Sequence, residues 1–474
     1  MELKRRNFLA AGAAIAASVP FADALAAGAD GHLPSEQWQT AWMDGTPFEK
    51  STLSAGAPVL QAPGDTTMGI TWEIRPDADG TPQTVIAAVE YATRMDFSDA
   101  KTVTMSRDGK RLVTSSSRYR ARVCMVRLTG LEANTAYYYR TITQAVDGDS
   151  AVGAPEKSPV YRFTTFGPRP APGSDVSFAV VNDPHAHFDT WKRIVPKIAE
   201  LKPSVVIYNG DLSSWTSSAD QMVRDIFAPI RNGEGASIPI MYSPGNHDSR
   251  GGWSRNRHQV LMPRSGAERG TRFEALLHNY AVRLGDLAMI GLDTGEDKAD
   301  YIWGGESDFD GQNRLQTEWL KEVLERPDIK SAKQIVVFTH IPLWAPGSDD
   351  VQPGMEPHYY IYCQFLCKRY WEPLLNKANV RLVVSAHTHY REHGAKYLAQ
   401  GARTWHQLIG GGPCIGGSED ATVIYGKMQP DGRLKVEVYS IGQRKNVDGG
   451  YAYDSRSGET VAFDYEPRPA SVRT

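Results

Sequence analysis

Ser204-Val205-Val206-Ile207-Tyr208-Asn209-Gly210-Asp211 is a short β-branched apolar run that stops on a glycine and a carboxylate. The same grammar recurs along the chain. Val181 leads into Asn182-Asp183-Pro184-His185, and Tyr242 into Ser243-Pro244-Gly245-Asn246-His247-Asp248. Phe338 leads into Thr339-His340, and Val384 into Ser385-Ala386-His387-Thr388-His389. Apolar runs this short, bounded by turn residues, read as buried strands. Helical spacing appears between them: Trp191, Ile194, Val195, Ile198 and Leu201 despite Pro196, then Met222, Val223, Ile226, Phe227 and Ile230 behind a cap at Ser218. Leu315, Trp319, Leu320, Val323 and Leu324 give a third helix. Strand–helix alternation predicts an α/β layer architecture from Val176 onward.

Each strand ends in residues that bind cations. In α/β folds the loops at the carboxyl ends of strands converge on one crevice. Here they carry Asp, His and Asn, donors suited to borderline divalent metals. Asp183, His185, Asp211, Asn246, His340, His387 and His389 are too many for one tetrahedral zinc. They suffice for two metals if one carboxylate is shared.

The motifs Asp183-x-His185, Gly210-Asp211, Gly245-Asn246-His247-Asp248, His340 and Ala386-His387-x-His389, in that order, resemble the calcineurin-like metallophosphoesterase superfamily. Ala386 departs from its pattern, which has Gly there. The resemblance implies a four-layer metallophosphoesterase β-sandwich flanked by helices, and two divalent or mixed-valence metal ions (Fe, Mn, Zn or Co). It implies that Asp183, His185 and His389 hold one metal and Asn246, His340 and His387 the other, with Asp211 as the bridge. A metal-bridging hydroxide would then attack a small-molecule phosphoester in line. His247, beside Asp248, would stabilise the phosphoryl charge or protonate the leaving oxygen. Arg250 is a candidate substrate contact, with a solvated basic loop through Arg255 and Arg257 as the alternative. The expected function is a phosphatase. A phosphodiesterase acting on cyclic nucleotides or phospholipid head groups is the alternative among enzymes, and a surface-binding protein with a decayed site is the alternative outside them.

Residues 55–166 read differently, as short strands separated by turns, with Trp72 early and Tyr137, Tyr138 and Tyr139 late. This predicts an all-β sandwich, and the run from Leu131 to Tyr139 resembles a fibronectin type III corner. A sandwich ahead of the catalytic unit is similar to the layout of purple acid phosphatases. The metal motifs depart from that subfamily: His185 stands where it has Gly, and Ser214 where its chromophoric tyrosine would be. A purple iron–tyrosinate centre is therefore not expected. The acidic turn at Asp77 and Asp79 reads as a plain β-turn, with calcium binding as the alternative. Residues 167–173 form a Pro-rich linker, 174–440 the catalytic domain and 441–474 a C-terminal extension.

Lys4-Arg5-Arg6-Asn7-Phe8-Leu9, a weakly apolar run and Ala24-Leu25-Ala26 make residues 1–26 resemble a twin-arginine signal, followed by an N-terminal segment at 27–54. This implies the twin-arginine export machinery as a partner and a periplasmic or secreted location. No other stretch is long and apolar enough to predict a transmembrane segment. The 474 residues carry a formal net charge of −3, with no basic excess to recruit a nucleic-acid coat. Four cysteines make no disulfide framework; they read as buried thiols, with a Cys363–Cys367 metal site or disulfide as the alternative.

Overall fold

A computed structural model describes residues 53–75, 84–105, 112–113, 123–148, 150–169, 175–227, 229, 233–264, 270–298, 308–344, 367–389, 403–413, 421–441, 443–445, 451–453 and 460–473. The signal segment, the Asp77–Asp79 turn, Cys363 and Cys414 lie outside the described residues.

Two large sheets build the catalytic body. The first has nine strands in the order 460–465, 434–441, 421–428, 177–181, 206–209, 240–243, 59–61, 68–73 and 123–128. The second has five, in the order 280–284, 287–291, 334–338, 382–385 and 406–409. The strands read from the apolar runs are the parallel ones: 177–181 pairs with 206–209 and that with 240–243, while 287–291, 334–338 and 382–385 run parallel in the second sheet.

The period of two along each strand decides the layering. Phe178 and Val180 join Ile207, Met241, Val336, Phe338, Val384 and Leu408 in the core between the two sheets. The Phe178 and Phe338 rings meet there edge to face, with centroids 5.4 Å apart. Ala179 and Val181 turn the other way, onto Trp191, Ile194 and Ile198 of the helix Phe188–Leu201. Ile290, Ile335, Val337 and Val383 likewise cover Trp319, Leu320 and Val323 of the helix Phe309–Glu325. Helix, sheet, sheet and helix make the four layers expected from the resemblance.

The helices hold their sequence reading with one modification. Phe188–Leu201 runs through Pro196 and ends on Lys202 in the left-handed region, φ 47°. Ser218 does cap its helix, its Oγ accepting from Gln221 N at 3.1 Å. That helix is α only over Ala219–Met222 and widens into a π turn over Val223–Phe227. The wider turn still buries Val223, Ile226 and Phe227.

The N-terminal sandwich packs a six-stranded sheet, built on 84–92 and 136–147, against strands 59–61, 68–73 and 123–128. Trp72, Tyr137, Tyr139 and Phe163 fill its core. Trp72 Nε1 donates to Thr143 Oγ1 at 2.8 Å, and Glu132 N donates to the Tyr137 hydroxyl at 2.9 Å, closing the corner. The sandwich shares a sheet with the catalytic body. Strand 59–61 pairs in parallel with 240–243, with Gln61 opposite Ile240. The Gln61 amide donates to Val260 O at 3.1 Å and accepts from Met262 N at 2.9 Å. At the other end, strand 460–465 pairs with 434–441, so the first sheet continues past residue 440. Buried Arg468 donates to the carbonyls of Ala378, Lys330 and Ala332, tying this segment to the helix layer.

Candidate metal centre

Five strands deliver the seven side chains to one edge of the sandwich: 177–181 precedes Asp183 and His185, 206–209 precedes Asp211, and 240–243 precedes Asn246. In the second sheet, 334–338 precedes His340 and 382–385 precedes His387 and His389. One ligand atom from each of Asp183, His185, Asp211 and His389 lies within 4.8 Å of the others. Asp211, His340 and His387 form a second such group, so Asp211 is common to both.

The backbone is bent hard to achieve this. Asp183 (φ 43°), His185 (46°), Asp211 (50°), His387 (71°) and His389 (60°) all sit in the left-handed region. Each such residue costs on the order of 1 kcal/mol or more, and such strain clusters at functional sites. Hydrogen bonds between loops hold the bends: His185 N donates to Asp211 O at 3.0 Å, and Ala186 N to Leu212 O at 2.8 Å. His387 N donates to the Asp183 carboxylate at 3.1 and 3.2 Å. Ala386 has no positive φ and its N donates to His340 O at 2.8 Å, so the missing glycine leaves this loop intact.

Gly210 (φ 85°) and Gly245 permit the closest approach. A Cβ on Gly245 would collide with both the carboxylate and the backbone nitrogen of Asp211. Gly245→Ala is therefore expected to displace Asp211 and reduce metal content by at least about tenfold in affinity. Elemental analysis of a variant with an unchanged circular dichroism spectrum checks this.

The nitrogens face one another as lone pairs. His340 Nδ1 is 2.9 Å from the Asn209 carbonyl, which can only accept, so that nitrogen bears hydrogen and Nε2 is the free donor of electrons. Yet His340 Nε2 stands 3.3 Å from Asp211 Oδ2 and 3.0 Å from Asn246 Oδ1, two acceptors. His185 Nε2 and His389 Nε2 are 3.0 Å apart, with Asp211 Oδ2 3.4 Å from the former. Asp211 Oδ2 is buried and accepts no hydrogen bond. An array of lone pairs and carboxylate oxygens packed this closely suits cations among them, and the donor set fits divalent metal.

Electrostatics agree. Burial, reinforced by neighbouring imidazoles, pushes His387 down to about 3 and His389 down to about 4, and holds His185 well below its usual range. These rings are neutral at neutral pH, the state a metal ligand requires. Burial opposes a charge on His340, but Asp211 and Asp183 overcome it and push that ring up to about 10: without a cation, a proton occupies the place. Burial would raise Asp211, yet His340 and His247 hold it well below the carboxylate range.

The structure sets His247 and Asp248 apart. Asp248 accepts from Gly245 N at 2.9 Å and Leu212 N at 3.1 Å, joining two ligand loops rather than the imidazole beside it in sequence. His247 Nδ1 instead meets the Ser214 carbonyl at 2.9 Å, and its ring stands edge-on to His185 with centroids 4.8 Å apart. Ser214 also places its hydroxyl 3.0 Å from His185 Nδ1, leaving Nε2 to face the cluster. Sequence reasoning noticed Ser214 only as a missing tyrosine. Ser214→Ala is expected to weaken metal binding about tenfold, with Ser214→Thr restoring it, as read by competition with a chelator.

Arg250 lies against Glu296 and Asp297, two carboxylates that no motif flagged. Asn182 and Asn209, each one or two positions before a ligand, were also missed; they pair at 3.3 Å behind the centre. Asp293 accepts from Gly295 N at 2.9 Å in a turn.

A four-layer sandwich with clustered Asp, His and Asn at the carboxyl ends of its strands defines a metal-dependent phosphoester hydrolase. The calcineurin-like phosphoesterase family model matches residues 176–391, and the model of the purple acid phosphatase N-terminal domain matches residues 57–165. Among solved structures, that of PhoD is 15% identical, covers 86% of this chain and 90% of its own, and superposes with a TM-score of 0.55, which shows a shared fold. Yfce, a phosphoesterase from E. coli, is 13% identical over 59% of this chain and 99% of its own, with a TM-score of 0.25. The third fibronectin III domain of the human KIAA0343 protein is 17% identical over 23% of this chain and 78% of its own, with a TM-score of 0.16. No curated protein sequence matches the chain.

Proposed function

We propose that this protein is an exported phosphatase that hydrolyses phosphate esters with two divalent metal ions. The observation that carries the reading is Asp211 Oδ2, buried without a hydrogen-bond donor and shared by two ligand groups. Asp183, His185 and His389 serve one ion, and Asn246, His340 and His387 the other. Such a pair binds phosphoryl oxygens and lowers the pKa of a coordinated water. The protein supplies neutral imidazoles, a fixed bridge and loops locked to each other by backbone hydrogen bonds. Asp248 keeps the Asp211 and Asn246 loops in register. His247, outside the ligand set, is assigned to the phosphoryl group.

His, carboxylate and amide donors admit Fe, Mn, Zn or Co, and affinity alone does not choose among them. The twin-arginine pattern at Arg5-Arg6 supports export in the folded state, after metal is acquired. Among the described residues, no helix is long and apolar enough to cross a membrane.

Elemental analysis of exported protein, paired with rates on an aryl phosphate monoester and the matching diester, tests the proposal. Two metals per chain and faster monoester hydrolysis are expected. A faster diester rate would move the assignment to phosphodiesterase, and protein purified without metal or activity would overturn it.

A further inference from the structure

Arg250 has two differently engaged edges. On one, Nε donates to Glu296 Oε1 at 2.8 Å, and Nη2 donates to Glu296 Oε2 at 3.1 Å and to Asp297 Oδ1 at 3.2 Å. Lys298 Nζ is 2.6 Å from the same Asp297 oxygen. Glu296 is 3% exposed, so this fork is held in the protein interior. On the other edge, Nη1 lies 2.9 Å from His247 Nε2.

His247 Nδ1 faces the Ser214 carbonyl, which can only accept, so Nδ1 carries the hydrogen. Arg250 Nη1 lies 2.9 Å from Nε2 and 3.3 Å from Nδ1, so it rests against the ring, off the lone-pair axis of Nε2. A guanidinium can only donate, and this imidazole offers it no well-directed acceptor. The ring itself stands edge-on to His185, at the border of the ligand cluster. A donor anchored on one edge and loosely engaged on the other is prepared for an incoming oxygen.

We infer that Arg250 Nη1 leaves the His247 ring to donate a hydrogen bond to a non-bridging phosphoryl oxygen of the substrate, and that Glu296 and Asp297 are the positioning residues that aim it. The inference rests on the phosphoester hydrolase reading of the same centre. Because Asp297 offsets the arginine charge through Nη2, the contact is directional and not a search for net negative charge. It therefore serves monoester and diester alike, and depends little on salt. Arg250 cannot release a proton, so it binds the phosphoryl group without acting as an acid.

Calorimetric titration of metal-loaded protein with inorganic phosphate tests this without relying on turnover. Arg250→Ala is expected to weaken phosphate binding about 10–100-fold while keeping two metals per chain. Arg250→Lys should not rescue it, since an ammonium cannot form the fork and reach the phosphate together. Glu296→Gln should weaken binding about 3–10-fold, and in the double variant with Arg250→Ala it should add nothing further. Additive losses, or wild-type phosphate affinity in Arg250→Ala, would overturn the inference while leaving the hydrolase reading intact. Loaded wild-type protein that hydrolyses neither ester would overturn both.

Discussion

Replacing Asp211 by asparagine is expected to empty both halves of the metal centre and to cut phosphoester hydrolysis by on the order of a thousandfold, about 4 kcal/mol of barrier. The change is isosteric, so the argument is about hydrogens. His247 N donates to Asp211 Oδ1 at 2.8 Å. An asparagine must keep its carbonyl oxygen there, which puts its NH₂ where Oδ2 stood. That NH₂ would then face His185 Nε2 and His340 Nε2, the positions 3.4 and 3.3 Å away. Two N–H donors satisfy the lone pairs that cations would otherwise neutralise. The variant should therefore fold, with a metal-free melting temperature at least equal to wild type, and contain almost no metal by elemental analysis. Full metal content in Asp211→Asn would show that Asp211 is not the shared ligand.

His247→Ala should separate binding from turnover. Its side chain belongs to neither ligand group, and its backbone nitrogen, which holds Asp211, survives the substitution. Metal content is expected to stay at wild-type level while turnover falls about 10²–10³-fold. The sequence left two roles open for this ring, charge stabilisation or protonation of the leaving oxygen. Both roles need a hydrogen on Nε2, and with Nδ1–H committed to Ser214 that means a second proton. Burial lowers the affinity for that proton, against the pull of Asp211. An imidazolium that only stabilises phosphoryl charge gives a similar loss for aryl and alkyl phosphates, which is the expected result. A much steeper loss on alkyl phosphates would restore the acid role, and unchanged rates on both would remove His247 from the mechanism.

The clustering of Asp and His at the strand ends was legible because its chemistry is local. A strand of Val and Ile followed by Gly-Asp or Asn-His-Asp announces both a turn and a donor, and each such motif sits within about six residues. Ser214, Glu296 and Asp297 carry no such signal. Ser214 matters through a carbonyl as much as a hydroxyl, and every residue has a carbonyl. Glu296 is 46 positions from Arg250 and is joined to it only when two loops of different sheets meet. Asp248 illustrates the converse. Adjacency to His247 suggested a pair, but neighbouring residues on a tight turn point apart, and its carboxylate went to two backbone nitrogens.

The domain picture shows the same division. The change from short antiparallel strands to strand–helix alternation is written in the periods of two and 3.6, which depend on near neighbours alone. Nothing local says that strand 59–61 will hydrogen-bond beside 240–243, across some 180 residues, and merge the sandwich with the catalytic sheet.

By itself the sequence determined which side chains can bind metal, that they stand at strand ends, and that an α/β body follows an all-β one. These rest on residue chemistry and short-range periodicity. Only the tertiary structure decided that Asp248 turns from His247 to two backbone nitrogens, that His247 keeps its hydrogen on Nδ1, and that Arg250 is aimed by carboxylates from another loop. Those are properties of distances between atoms far apart in the chain. They exist only where packing of the two sheets brings their carboxyl ends to a common edge.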